Sequence, residues 1–391
     1  MGKKLLGICI TAGVLTAVVG FCALMLPKLV ADSIYTANGS VSSSSPAQGA
    51  SMGNKLPKPR AQAILDGMSL EEKVGQMFFA RCPDSDAAAH VSQYHLGGYL
   101  LFARDFQSKS RQEVTNTLER YQNQAKVPLL LGVDEEGGTV NRISKYRAFR
   151  AVPFHSPQEL YQEGGWPLIE SDTAEKCKLL RSLGINVNFA PVCDVPPSDS
   201  DYIYPRSFGE DPELTADYVR TVTQTMRQQD VAAVLKHFPG YGNNTDTHTG
   251  AAVDRRSYEQ FTSSDFLPFQ AGIDAGADMV LVSHNTVMCM DSQSPASLSP
   301  QVHRILREDL GFAGVIICDD LDMDAIRQYA GEAEAAVLAV QGGNDMLCCT
   351  NFEVQIPALI EAVQSGEISQ EQIDASVLRI LNLKIRLGLI A

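Results

Sequence analysis

Along this chain, eight short apolar runs rich in β-forming residues alternate with longer stretches of helical period. That alternation constrains the fold more than any other feature. The runs lie near residues 76–80, 98–102, 128–133, 185–190, 232–235, 279–282, 314–317 and 345–348. A strand followed by a helix returns the chain to the same edge of a parallel sheet, so the expected class is α/β. Eight such units in about 330 residues suit a closed (β/α)8 barrel. A doubly wound open sheet would carry fewer strands and a glycine-rich phosphate loop after the first, and this sequence has no such loop. The first helix opens with Ser69 as its cap and Glu72 three residues on, and a last helical stretch over 373–389 closes the ring against it.

The barrel is expected to occupy 61–391, behind two segments of different character. Lys3 and Lys4 precede an almost unbroken apolar run over 5–26, which as a helix covers roughly 33 Å, enough to cross a bilayer core. Residues 1–30 are read as a signal anchor or a cleaved signal peptide. Either one exports the rest of the chain, and the leading lysines favour a cytoplasmic N-terminus. Residues 31–60 turn to Ser, Gly, Ala, Gln and Pro, including the run Ser42 to Ser45, and form a linker too polar to bury a core. The expected setting is the cell membrane with the barrel outside the cytoplasm, or secretion if the segment is cleaved. A net charge of −14, with 32 basic against 46 acidic residues and no basic block, excludes a nucleic-acid partner. The nine cysteines include no CxxC pair and no Cys/His spacing for zinc, and read as structural thiols.

In a barrel of this kind, polar residues at the C-terminal ends of strands face the active-site mouth. Here strand three ends in Asp134-Glu135-Glu136-Gly137-Gly138, strand four runs into Asp194, and strand five ends in Lys236-His237. Strand six ends in Ser283-His284-Asn285 and strand seven in Asp319-Asp320. One such end is explained by a structural ion pair or a cap; five together point to chemistry. The loop after strand five carries Asp246 and, two residues on, His248. A carboxylate there can hold one imidazole nitrogen while the other faces the cleft, which suits proton donation and return.

These stretches resemble glycoside hydrolase family 3, in its β-N-acetylglucosaminidase branch. The resemblance is carried by the opening Met68-Ser69-Leu70-Glu71-Glu72-Lys73, by Asp134-Glu135-Glu136-Gly137-Gly138 with Arg142, and by Asn188-Phe189-Ala190-Pro191. It continues through Arg206-Ser207-Phe208-Gly209, Lys236-His237-Phe238-Pro239-Gly240 and Cys318-Asp319-Asp320-Leu321. It implies a retaining exo-β-N-acetylhexosaminidase acting on terminal β-linked N-acetylglucosamine through a covalent glycosyl-enzyme, with no metal or organic cofactor. It implies Asp319 as nucleophile, His248 as general acid/base with Asp246 as its dyad partner, and Asp134, Arg142, Arg206, Lys236 and His237 as ligands of the terminal sugar. A histidine departs from the usual second carboxylate of retaining enzymes; the resemblance, not the spacing, supports it. Tyr241 stands where the family commonly has histidine, and Thr139 where arginine often follows the Gly-Gly pair. The expected partners are an N-acetylglucosamine-containing glycan of the cell wall or surroundings and, through the N-terminal segment, the membrane. Three alternatives remain: another β-glycosidase of the same family such as a β-glucosidase, an aldolase-like enzyme using Lys236 as a Schiff base, and a non-catalytic glycan-binding module.

Overall fold

The computed structural model describes residues 59–245, 247, 250–349 and 351–391. The apolar run 5–26, the linker up to residue 58, and Asp246 and His248 lie outside the described residues. Among the described residues, no helix is long and apolar enough to cross a membrane.

Eight parallel strands close into a barrel: β1 (Phe78–Arg81), β2 (Gly98–Leu101), β3 (Leu130–Val133), β4 (Val187–Asn188), β5 (Ala232–Phe238), β6 (Met279–Val282), β7 (Val315–Cys318) and β8 (Met346–Cys349). Each strand pairs with the next, and β8 pairs back to β1 through Phe78–Leu347, Phe79–Cys348 and Ala80–Cys349. The (β/α)8 architecture expected from the alternation is therefore present. Almost every strand position is buried, as a sheet lined by helices outside and by packed side chains inside demands. Inside, the Phe79 and Phe189 rings meet edge to face at 5.3 Å. They close over Gly132, where a Cβ would stand 2.7 Å from Phe189 and 2.8 Å from Phe79. The ring pair thus needs glycine in β3.

The outer helices begin where the sequence supplies caps. Ser69 accepts from the Glu72 amide while the Glu72 side chain accepts from the Ser69 amide, and Ser110 with Glu113 and Ser156 with Glu159 repeat the reciprocal pair. The last helix, Gln370–Arg386, packs on the first ones. Asp374 pairs with Lys73 at 2.7 Å, and the Lys384 ammonium donates to Gln76 Oε1 at 2.6 Å.

At the N-terminal mouth, acids stand immediately before two strands and bind neighbouring units together. Asp345, before β8, accepts from Arg379 at 2.8 Å, from the Ser376 hydroxyl at 3.0 Å, from the Ile316 amide at 2.8 Å and from Arg307. Asp278, before β6, pairs with Arg386 at 2.6 Å and with Arg227 at 3.6 Å. Burial pushes the Asp278 carboxyl up to about 6, against the pull of those two guanidinium groups.

Candidate active site

The opposite mouth holds a cavity of ≈ 390 Å³. Its walls come from strand ends: Arg81 as the last residue of β1, Asp134 and Glu136 after β3, Lys236 and His237 in β5, Asp319 and Asp320 after β7. Arg142, Tyr202 and Arg206 reach in from the loops after β3 and β4, and Phe102, Phe189 and Leu281 supply apolar surface. In β5 the pairing register with β6 shifts between Leu235 and Phe238. Such an irregularity re-aims side chains, and Lys236 and its neighbour His237 both line the cavity.

One wall is a continuous chain of charge. The Lys236 ammonium lies 2.7 Å from Asp134 and 2.6 Å from Glu136. Glu136 takes Arg206 as a fork, at 3.0 Å through Nε and 2.8 Å through Nη2, the geometry that makes guanidinium–carboxylate pairs strong. Burial alone would raise the Glu136 carboxyl, yet Arg206 and Lys236 hold it well below the usual carboxylate range. Arg206 Nη2 also lies 3.2 Å from His237 Nε2, and His237 Nδ1 lies 2.7 Å from Asp194. These partners fix the tautomer: Nδ1 donates to the carboxylate, and Nε2 accepts from the guanidinium on the cavity side. Asp194 is fully buried and also accepts from the His237 and Tyr241 amides at 3.2 and 2.8 Å.

Glu135, next to Glu136, does different work. It is fully buried and accepts from the amides of Arg142 and Ile143 at 2.8 Å and of Ser144 at 3.0 Å. It thereby fixes the loop that brings Arg142 to the cavity. The Arg142 guanidinium sits 6.0 Å from the Phe102 ring centre, and its buried Nε has no hydrogen-bond partner among the described residues. Beside it, Arg81 stacks on the same ring at 4.5 Å and pairs with Asp320 at 3.1 Å. Asp319 Oδ1 accepts the Asp320 amide at 2.9 Å. His284, from the end of β6, donates from Nε2 to the Asp320 carbonyl at 2.9 Å and takes the Ser297 hydroxyl on Nδ1 at 2.7 Å. The backbone under the two acids is therefore held from behind. Among the described residues, no three His, Cys, Asp or Glu side chains converge as a metal site.

A barrel with this rim has recognisable relatives. Residues 69–383 match the model of the glycosyl hydrolase family 3 N-terminal domain. The chain belongs to glycoside hydrolase family 3. It is 31% identical to the β-hexosaminidase LpqI of Mycobacterium tuberculosis over 369 residues, 88% of this chain and 92% of that one. The solved structure of that protein superposes with a TM-score of 0.76 at 30% identity, covering 83% of this chain and 96% of LpqI. A family 3 β-N-acetylglucosaminidase from Paenibacillus sp. FPU-7 superposes with a TM-score of 0.77 at 33% identity over 83% of this chain and 64% of its own. Against β-hexosaminidase A of Pseudoalteromonas piscicida the identity is 30% over 325 residues, 76% of this chain, and the chain spans about half, 54%, of that relative's length.

For this family 3 barrel, the structure gathers Asp134, Arg142, Arg206, Lys236, His237 and Asp319 around a single cavity. Asp246 and His248 lie outside the described residues. Sequence reasoning did not assign site roles to Glu136, Asp194 and Arg81. Glu136 and Asp194 stood in strand-end clusters that had been noticed, but their partners come from other units of the barrel. Arg81 was missed because the first strand was expected over 76–80, whereas β1 runs to Arg81 and ends on it.

Proposed function

We propose that this chain is a retaining exo-β-N-acetylhexosaminidase that removes terminal β-linked N-acetylglucosamine from glycans. The observation that carries the proposal is the shared cavity, in which Asp319 lines a pocket with the Asp134–Lys236–Glu136–Arg206–His237 chain. A sugar ring presents hydroxyls that need both donors and acceptors. Asp134 accepts, Lys236 and Arg206 donate, and the tautomer-fixed His237 offers its Nε2 edge. The Asp319 carboxylate attacks the anomeric carbon and forms the glycosyl ester as the glycosidic bond breaks; His248, with Asp246, gives its proton to the departing oxygen. Water then gives a proton to the same imidazole, adds to the anomeric carbon and displaces Asp319, so two inversions return the β configuration. The N-terminal apolar run supports export and attachment to the membrane, which places cell-wall or environmental glycans within reach.

The test is nitrophenol release from p-nitrophenyl N-acetyl-β-glucosaminide beside the β-glucoside, by the wild type and Asp319→Asn. Hydrolysis confined to the N-acetyl substrate and lost in the variant is expected. Preference for the glucoside, or an active variant, would overturn the assignment.

A further inference from the structure

The loop that leaves β5 is fastened at two places. Near its base, Arg256 donates from Nη2 to the Gly240 carbonyl at 3.0 Å and is held by Asp254 and Asp265 at 2.8 Å. Asn244 donates to Asp254 at 2.6 Å. Gly240 has φ +127°, and a Cβ there would stand 2.1 Å from Asp265, so the clamp closes on bare backbone.

The second fastening is Tyr241, which lines the sugar cavity although it is only 2% exposed. Its amide donates to Asp194, the carboxylate that also holds His237, and its ring meets the His237 ring edge-on at 5.2 Å. Its phenol lies 2.5 Å from the hydroxyl of Thr247, a fully buried residue that immediately precedes His248 in the chain. Burial, and then the charge of Asp319, push the phenol well above its ordinary value. It therefore stays a neutral hydroxyl throughout the working range and can keep this bond.

We propose that Tyr241 is a positioning residue for proton transfer: its phenol ties Thr247, the residue that precedes His248 in the chain, to the carboxylate–histidine pair that holds the sugar. The proposal rests on the reading of His248 as the acid/base. Proton transfer needs the imidazole within hydrogen-bond reach of the glycosidic oxygen, and a displacement of about 1 Å costs on the order of 100-fold. The effect must fall on substrates whose leaving group needs a proton. It must be small where the leaving group departs as a stable anion.

The experiment measures kcat and KM for the full chain on N,N′-diacetylchitobiose and on 2,4-dinitrophenyl N-acetyl-β-glucosaminide, in the wild type, Tyr241→Phe, Thr247→Val, Thr247→Ser and His248→Ala. Tyr241→Phe and Thr247→Val are expected to lower kcat on the disaccharide by about 10- to 100-fold, with less than about threefold loss on the dinitrophenyl substrate and little change in KM. Thr247→Ser, which keeps the hydroxyl, should hold near the wild type. Equal losses on both substrates would overturn the proposal. So would an unchanged Tyr241→Phe beside a His248→Ala variant that does discriminate between leaving groups. If His248→Ala itself fails to discriminate, the acid/base assignment falls and the proposal falls with it.

Discussion

At the start of β8, Asp345 is closed in by two arginines, a hydroxyl and an amide; at the end of β5, Lys236 is shared between two carboxylates on the wall of an open cavity. Both ends of the barrel bury charge. The difference is in what the charge faces. At the N-terminal mouth the acids draw partners from several units of the barrel, so the charge binds the ring of units together. At the C-terminal mouth acids and cations alternate around the cavity, with Lys236 shared by Asp134 and Glu136, and Arg206 by Glu136 and His237. Position along the strand, before it or after it, thus separates charge that ties the units together from charge that lines the cavity.

Substituting the acids at the two ends should break this contrast if it is false. Asp319→Asn, the largest effect, is expected to lower turnover by on the order of 10³-fold or more while leaving Tm almost unmoved, read by steady-state kinetics and thermal unfolding. Glu136→Gln should fail in both readouts. It leaves Arg206 and Lys236 side by side without their shared anion, so kcat/KM is expected to drop about 100-fold and stability by ~3 kcal/mol in denaturant titration. The matching change at the other mouth, Asp345→Asn, should cost a similar ~3 kcal/mol with kcat/KM within about threefold of the wild type. A kinetic defect there as large as that of Glu136→Gln would erase the distinction between the ends.

The smallest effect concerns Lys384, whose ammonium burial pulls down from its ordinary 10.5 to about 7. Between those values the unfolded chain holds a proton that the folded chain has released, so this lysine makes stability rise with pH across that window. Below about pH 7, folding must bury a charged ammonium. Lys384→Met is therefore expected to be more stable than the wild type at pH 7 and below, with the gain shrinking toward pH 10. Parallel stability curves for the two proteins would contradict it.

The sequence carried the barrel well because its signal is local. All eight strands announced themselves as apolar runs between helical stretches, and the Ser69–Glu72 cap is legible from spacing alone. The ends of strands were less legible. The fourth run, expected over 185–190, is a regular strand only at Val187–Asn188, although Asn186, Phe189 and Ala190 still hydrogen-bond to the neighbouring strands. The first run ends one residue later than its composition suggested, and that residue is Arg81. Family resemblance named Asp134, Arg142, Arg206, Lys236, His237 and Asp319, but nothing in the linear chain says that Glu136 joins Arg206 to Lys236 across 70 and 100 residues. That linkage exists only once the barrel has closed. Tyr241 was visible as a departure from the family's histidine; its bond to Thr247 was not.

Asp319, the acid immediately after β7, is proposed to make the covalent bond to the sugar. That role is tested most directly by quenching the working enzyme with a slow, activated fluoro-sugar analogue of N-acetyl-β-glucosaminide and sequencing the labelled peptide by mass spectrometry. One glycosyl group, esterified to Asp319, is expected. A label on Lys236 or Asp320, or turnover with inversion at the anomeric carbon and no label at all, would contradict it.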